Sequence, residues 1–261
     1  MEIWKAIILG LVQGLTEFLP VSSSGHLIFF QKLLNVDLEA GEMFLGVMLH
    51  LGTLISLIIV FFYDILGLFK KPRMLLYIII ASIPAAFIGL LFNDEIDKFF
   101  YGGNYLCYGF LITAILLYVT EIYSKEHKGD REPGLKSSIV TGLFQAVAIL
   151  PGISRSGSTI AGGTFMKIKR EDNANFAFLM SIPVIGGAVL VEIYKQFIDG
   201  TGVPSNDILA VVIGMFFAAL SGYFAIRFML KIIKKANYKW FSLYLVVMAV
   251  ISFVNNFVDI I

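Results

Sequence analysis

The sequence predicts an all-α integral membrane protein made of two inverted-topology repeats, each a re-entrant helical hairpin followed by three transmembrane helices. Three observations predict this fold class. Of the 261 residues, 58% are hydrophobic and 15% are charged, whereas about a quarter of a typical soluble domain is charged. One segment near the start of the chain returns 132 residues later. The connecting segments alternate between rich and poor in Lys and Arg, which indicates a membrane orientation.

The internal repeat relates the two halves of the chain. Residues 7–28 align without a gap with residues 139–160, and eight of the 22 aligned positions are identical. Such a repeat constrains the architecture before any single motif does. We interpret the chain as a single membrane domain over 1–261, with repeat 1 at about 1–126 and repeat 2 at about 133–261.

Six apolar stretches are long enough to cross a hydrocarbon core as helices. Three fall in each repeat, at corresponding positions. The predicted spans are 44–62, 74–92, 104–120, 174–191, 207–226 and 240–258.

The positive charges predict which connecting segments lie in the cytoplasm. Fifteen Lys and Arg residues lie in segments 63–73, 121–138, 163–174 and 227–239. Three lie in segments 31–42, 93–103, 195–204 and 255–261. The positive-inside rule places the first set in the cytoplasm and the second set outside. We therefore expect both termini to face outside.

The apolar start of each repeat is predicted to enter and leave the membrane on one side. Residues 139–162 lie between two cytoplasmic segments, so we expect a re-entrant hairpin broken near Pro151–Gly152. The repeat predicts the same for residues 1–30, broken near Pro20 and entered from outside. Broken helices of inverted repeats meet near the midplane and form the site in many transporters. Irregular backbone at that depth lines a cavity, so we expect a polar cavity between the hairpins.

Composition also excludes some classes of function and site. The net charge is +1, and no basic tail or RNA-binding signature is present, so we expect no nucleic-acid partner. Cys107 is the single cysteine, which excludes an intrachain disulfide and a cysteine-based metal site. No small-residue cleavage site follows the apolar N-terminus, so we expect mature protein rather than a removed signal peptide.

Arg155 is the first candidate site residue. An Arg at membrane depth is costly and usually marks a ligand or ion path. Guanidinium donors, hydroxyls and free backbone N–H groups at a helix start suit phosphate oxygens. The alternative is a structural Arg that pairs with Glu17 and holds the hairpins together. The hydroxyls that we expect to help bind a phosphate are those of Ser22, Ser24, Ser154, Ser156 and Thr159.

Glu17, with Gln13 one helical turn before it, is the second candidate. A carboxylate near a phosphate serves as a metal ligand, as a general base or as the partner of the Arg. Gln13 would orient Glu17 or complete a metal's ligand set, and packing within the repeat is the alternative, because Gln145 occupies the matching position.

Ser23 and His26 form the third candidate, three residues apart after the first break. A Ser activated by a His, with a carboxylate near, is a common arrangement for an activated nucleophile. A structural His is the alternative. For His50, within the first predicted span, a packed or hydrogen-bonded role is the interpretation that we favour.

The segment from Gln13 to His26 reads QGLTEFLPVSSSGH, and the segment from Pro151 to Thr159 reads PGISRSGST. These segments resemble the two signatures of the undecaprenyl-diphosphatase family, the bacitracin-resistance phosphatases of bacterial membranes. The first signature is a Glu or Gln followed four residues later by a Glu. The second is Pro-Gly-x-Ser-Arg-Ser-x-x-Thr, and every fixed position is filled. Gln at position 13 fits the pattern, but it weakens any mechanism that needs two carboxylates there.

The resemblance implies hydrolysis of undecaprenyl diphosphate to the monophosphate and inorganic phosphate. This reaction recycles the lipid carrier of peptidoglycan and cell-wall synthesis and lowers sensitivity to bacitracin, which sequesters the diphosphate. It also implies a divalent cation, Mg²⁺ or Ca²⁺, and a site that opens to the outer face of the bacterial cytoplasmic membrane. The expected partners are a polyprenyl diphosphate and membrane lipids, and a homodimer is compatible with the sequence.

The resemblance also implies roles for the candidate residues. Arg155 would bind the diphosphate and stabilise charge during transfer. Glu17, with Gln13, would hold the metal or act as base. Ser23 would be the nucleophile and His26 its base or the acid for the leaving group. Direct attack by water, with Ser23 only positioning it, is the alternative.

A transporter or flippase for a lipid phosphate or another anion is the rival function. Inverted repeats and re-entrant helices are typical of transporters, and the same anion site would serve uptake. Glu17, Ser23 and His26 favour an enzyme, because a passive anion site does not need them.

Overall fold

A computed structural model of the protein describes residues 1–36, 40–100, 105–198, 208–233 and 237–258. The regular elements in these ranges are α-helices. They are α1 (Ile3–Phe18), α2 (Ser23–Leu33), α3 (Ala40–Val60), α4 (Phe62–Leu68), α5 (Pro72–Phe100), α6 (Leu106–Glu126), α7 (Leu135–Val147), α8 (Arg155–Phe165), α9 (Arg170–Ile198), α10 (Ile208–Ile232) and α11 (Tyr238–Val258).

Five helices in these ranges are long and apolar enough to cross a membrane. They contain the candidate spans Pro72–Phe92, Leu106–Glu126, Arg170–Val191, Ile208–Ile232 and Tyr238–Asn255. A sixth span is obtained if α3 and α4 are taken together, although they meet at an angle of 75°. The protein is therefore an all-helical, multi-span membrane protein, as the composition predicts.

The first predicted span differs from the structure in one respect. The sequence predicts a membrane-spanning helix at about 44–62, but α3 ends at Val60 and the chain bends before α4 begins at Phe62. Phe61 between them leaves the helical conformation and is buried in the main hydrophobic core. Burial of this ring, which the apolar pattern alone does not reveal, accompanies the bend.

Both predicted helix breaks are present. The first falls between Phe18 and Ser23, where Pro20 restricts the residue before it to extended backbone. The second falls between Val147 and Arg155, where Gly152 adopts a left-handed conformation with φ of +88°. The two helices flanking each break contact each other, so each pair forms a helical hairpin.

The long helices of one repeat cover the hairpin of the other. In the first hairpin, α1 packs chiefly against α10, and in the second, α7 packs chiefly against α5. Gly10 contacts the Gly214 backbone so closely that a side chain would collide with its carbonyl oxygen, and a Cβ added at Gly142 would lie 2.6 Å from the Ala81 carbonyl oxygen. Small residues permit this approach of helix backbones in a membrane, and each hairpin is thereby held against a long helix of the other repeat.

Parts of the predicted connecting segments fall outside the described residues. These segments are 31–42, 93–103, 195–204, 227–239 and 255–261.

Candidate active site

A cavity of about 260 Å³ lies between the two hairpins and helices α3 and α9. The hairpins contribute most of its polar wall, as the repeat predicts, and α3 adds one further polar residue. The polar side chains lining it are Glu17, Ser23, Ser24, His50, Gln145 and Arg155. The apolar side chains lining it are Val47, Ala148, Ile149, Ile153, Val184, Ile185, Ala188 and Val189.

An ion pair between Glu17 and Arg155 joins the hairpins at this cavity. Arg155 Nη2 donates to Glu17 Oε1 at 2.5 Å, and the exposed fractions of the two side chains are 17% for Arg155 and 3% for Glu17. Arg155 is also the first residue of α8, where free N–H groups and the helix dipole favour negative charge. The ion pair agrees with the interpretation of Arg155 as a structural residue that pairs with Glu17. The position of Arg155 on the cavity wall agrees with the interpretation of Arg155 as part of an anion site.

Glu17 is the centre of the polar cluster. Its Oε2 accepts hydrogen bonds from Ser23 Oγ at 2.5 Å and from Gln13 Nε2 at 2.9 Å. His50 Nε2 lies 3.6 Å from the same oxygen. Gln13 lies one turn before Glu17 on α1, whereas Ser23 lies on α2 and His50 lies on α3. The whole cluster therefore forms only when these helices pack together. The carboxylate of Glu17 is therefore within direct hydrogen-bonding reach of the Ser23 hydroxyl.

The backbone immediately before Ser23 has an unusual conformation. Ser22, the residue before it, has φ of 68° and ψ of 93°, a region that residues with side chains rarely adopt. Residues held in such conformations cluster at functional sites, where the surrounding structure offsets their cost. The strain lies next to the candidate nucleophile.

His26 differs from its expected position beside Ser23. Its Nδ1 lies 2.7 Å from the Ser22 carbonyl oxygen, which can only accept, so Nδ1 carries the hydrogen. Its Nε2 lies 2.7 Å from Tyr244 Oη, and the two rings stack with centroids 5.6 Å apart. The expected His26–Ser23 contact is therefore wrong for this structure, because both ring nitrogens are engaged elsewhere. The catalytic role of His26 stays a prediction.

Most of the hydroxyls expected to bind phosphate form hydrogen bonds with backbone groups of the hairpins. Ser22 and Ser154 are the N-caps of α2 and α8. Ser156 donates to the Leu19 carbonyl oxygen at 2.8 Å and so joins the two breaks. Thr159 donates to backbone carbonyl oxygens within α8.

Ser24 is the one of these hydroxyl residues that lines the cavity, and it lies 3.4 Å from the Ser22 hydroxyl. The expected phosphate contacts of all five stay predictions.

The sequence pattern does not identify Tyr244, and it assigns His50 only a packed or hydrogen-bonded role. His50 is hydrogen-bonded as expected, with Nδ1 2.8 Å from the Gly46 carbonyl oxygen, but it also faces Glu17 across the cavity wall. Its depth in an apolar span was the available signal. Tyr244, on α11, has no motif around it, and its contact with His26 spans 218 residues of chain.

The donor set available to a metal is small. Within the described ranges, no three His, Cys, Asp or Glu side chains come together as a metal cluster. Gln13 Oε1 is buried there without a hydrogen-bond partner, and the carboxylate of Glu17 is adjacent to the same amide. Mg²⁺ commonly binds to one or two carboxylates together with substrate phosphates, so this set fits a cation that the substrate helps to hold.

The similarity of this chain to known proteins extends over both hairpins and the helices between them. Residues 6–251 match the sequence model of a family described as bacitracin resistance protein BacA. Proteins named undecaprenyl-diphosphatase from Carboxydothermus hydrogenoformans and Halothermothrix orenii are each 42% identical to this chain, over 96% and 94% of both chains. A protein of the same name from Methanobrevibacter smithii is 38% identical over 98% of both chains.

Proposed function

The chain belongs to the family described as bacitracin resistance protein BacA, and we propose that it hydrolyses undecaprenyl diphosphate to undecaprenyl phosphate and inorganic phosphate. The observation that carries this proposal is the contact of Ser23 with Glu17, and of Glu17 with Arg155, on the wall of one cavity. A nucleophile, a base and an anion-binding group are the parts that phosphoryl transfer requires. The product returns to cell-wall synthesis, which accounts for bacitracin resistance.

Arg155 and Glu17 exchange partners when the substrate binds. The guanidinium is occupied by Glu17 in the free protein, so the diphosphate must draw it away or share it. Glu17 Oε1 is then released from the guanidinium, while Oε2 still accepts the hydrogen bond from Ser23 Oγ. The carboxylate thus stays beside Ser23 as its base while the guanidinium binds the anion.

Ser23 Oγ then attacks the terminal phosphorus and passes its proton to Glu17. The bond from that phosphorus to the bridging oxygen breaks, and its electron pair leaves with the lipid monophosphate. Water cleaves the Ser23–phosphate bond in the second half of the reaction, and Ser23 regains a proton as phosphate departs. For His26 to act as base or acid in either half, its ring must first release Tyr244.

The apolar wall of the cavity fits the lipid part of the substrate. Aliphatic side chains of α3 and α9, such as Val47, Val184 and Val189, line the same cavity as the polar cluster. A polyprenyl diphosphate is a hydrocarbon chain that ends in a compact anion, so this cavity offers side chains that suit each part.

A divalent cation, Mg²⁺ or Ca²⁺, is part of the proposal. Glu17 would hold it, with Gln13 as a second ligand through the unpartnered Oε1. When bound, such a cation neutralises charge on the phosphates during transfer.

We also propose that the repeats are inverted relative to each other, in the cytoplasmic membrane, with the cavity open to the outer face. The charge distribution supports this orientation. In a Cys107→Ser background, a cysteine at the exposed Asn35 should react with an impermeant thiol reagent in intact cells, and cysteines at the exposed Lys71 and Lys128 should not. Reaction of the cysteine placed at Lys128 would indicate the opposite orientation.

The proposed activity is tested by phosphate release from a polyprenyl diphosphate. Protein purified in detergent should release phosphate in the presence of Mg²⁺ or Ca²⁺ and stop when a chelator is added. Absence of release, combined with movement of the lipid or anion across reconstituted vesicles, would favour the transporter instead.

A further inference from the structure

We propose that His50 is a ligand of the divalent cation, through Nε2 and beside Glu17. The proposal rests on the function above and adds a nitrogen donor from α3 to a site whose other candidate ligands come from α1.

The hydrogen-bonding of His50 fixes which ring nitrogen has a free lone pair. The Gly46 carbonyl oxygen, 2.8 Å from Nδ1, can only accept, so Nδ1 carries the hydrogen. In the neutral ring the lone pair is then on Nε2, which faces Glu17. A His that ligates a metal almost always donates its other N–H to a carbonyl, carboxylate or water in this way.

The distance between His50 and Glu17 suits a bridging ion. Nε2 and Oε2 are 3.6 Å apart, which is too long for a hydrogen bond. Two lone pairs that face each other at this separation repel unless a positive charge lies between them. With bonds of about 2.1 Å, the two atoms would need to approach each other by about 0.6 Å to bind an octahedral ion at neighbouring positions.

The surroundings leave few other groups to balance Glu17. Arg155 is the remaining charged side chain on the cavity wall, and the wall formed by α9 is apolar. When Arg155 turns to the diphosphate, Glu17 loses its positive partner while several negative charges arrive. A cation held by His50 and Glu17 compensates for both changes, and phosphate oxygens complete its ligands.

An imidazole ligand changes which cation the site prefers. Imidazole suits Mn²⁺, Co²⁺ and Zn²⁺ better than it suits Ca²⁺, which favours oxygen ligands alone. We therefore expect this protein to bind Mn²⁺ more tightly than Ca²⁺.

Pulsed electron paramagnetic resonance of bound Mn²⁺ tests the proposal directly. With full-length protein in detergent and methylene bisphosphonate as a diphosphate that is not hydrolysed, the wild type should show coupling of Mn²⁺ to an imidazole nitrogen. His50→Gln should lose this coupling and weaken Mn²⁺ binding by about 10- to 100-fold. His127→Gln is the matched control, because His127 lies at the end of α6 against Tyr123, and it should retain both.

Three results would overturn the proposal: no Mn²⁺ binding by the wild type, bound Mn²⁺ without nitrogen coupling, or coupling that survives in His50→Gln. A wild type without nitrogen coupling overturns the proposal even if His50→Gln fails to fold, and His50→Asn then serves as the second variant. Phosphate release from a polyprenyl diphosphate is measured separately on the same protein preparations. Phosphate release without nitrogen coupling would contradict only the proposal that His50 is a ligand. Nitrogen coupling without phosphate release would contradict only the proposed phosphatase activity.

Discussion

The two hairpins have the same construction and opposite chemistry. Ser22 caps α2 and Ser154 caps α8, each accepting a hydrogen bond from the N–H of a glycine three residues later. Gly10 and Gly142 each admit a helix of the other repeat. These are positions that the repeats share.

The positions that differ bring the functional groups. Glu17 aligns with Ile149, and Ser23 aligns with Arg155. The first hairpin thus supplies the carboxylate of Glu17 and the hydroxyl of Ser23, and the second supplies the guanidinium of Arg155. The ion pair between Glu17 and Arg155 joins the two hairpins. The comparison teaches that a duplicated frame can be retained for packing while a few substitutions divide the chemistry between its copies.

Removal of the Ser23 hydroxyl should have the largest effect on this division. If Ser23 is the nucleophile, Ser23→Ala should lower the single-turnover rate of hydrolysis on the order of 10⁴-fold or more. Ser24→Ala is the matched control, since Ser24 lines the same cavity but contacts only Ser22 among the residues discussed; it should cost less than about tenfold, as for one neutral hydrogen bond. Retention of more than about a tenth of the wild-type rate in Ser23→Ala would indicate direct attack by water.

Replacement of Arg155, the positively charged residue of the second hairpin, should have the next largest effect. Arg155→Lys keeps the charge beside Glu17 but loses the planar donors that bind phosphate oxygens. We expect hydrolysis to fall about 10²-fold or more, as when one donor to the transition state is removed. Arg227→Lys, at an exposed position on α10, should leave the rate unchanged. Near-normal turnover by folded Arg155→Lys would make the structural interpretation of the ion pair the better one.

The caps should show the smallest effect, and they test whether the shared positions are equivalent. Ser22→Ala and Ser154→Ala should each lower the free energy of unfolding by about 1 kcal/mol. The loss should be greater at Ser154, where the cap distance is 3.1 Å, than at Ser22, where it is 3.4 Å. Thermal unfolding in detergent measures this, with Ser124→Ala on α6 as a control that removes an intrahelical hydroxyl bond. A greater loss at Ser22 would contradict the ranking.

Much of the frame could be predicted because it follows from local chemistry. Pro20 and Gly152 interrupt helices by their own backbone properties. The apolar stretches predict helices by length, and five of the six correspond to candidate membrane spans, while the sixth corresponds to the bent pair α3 and α4. The bend at Phe61 could not be predicted, because it accompanies burial of one ring among helices distant in sequence.

By itself, the sequence determined the membrane class, the repeat, the two breaks and most members of the polar cluster. Arg155, Glu17 and Ser23 are conspicuous because polar groups are costly in apolar segments. The tertiary structure alone decided which groups meet. It placed Ser23 and His50 beside Glu17 and turned His26 toward Tyr244. These choices depend on how α3 and α11 pack around the hairpins, and a hydrogen bond that spans 218 residues leaves no trace in local sequence spacing.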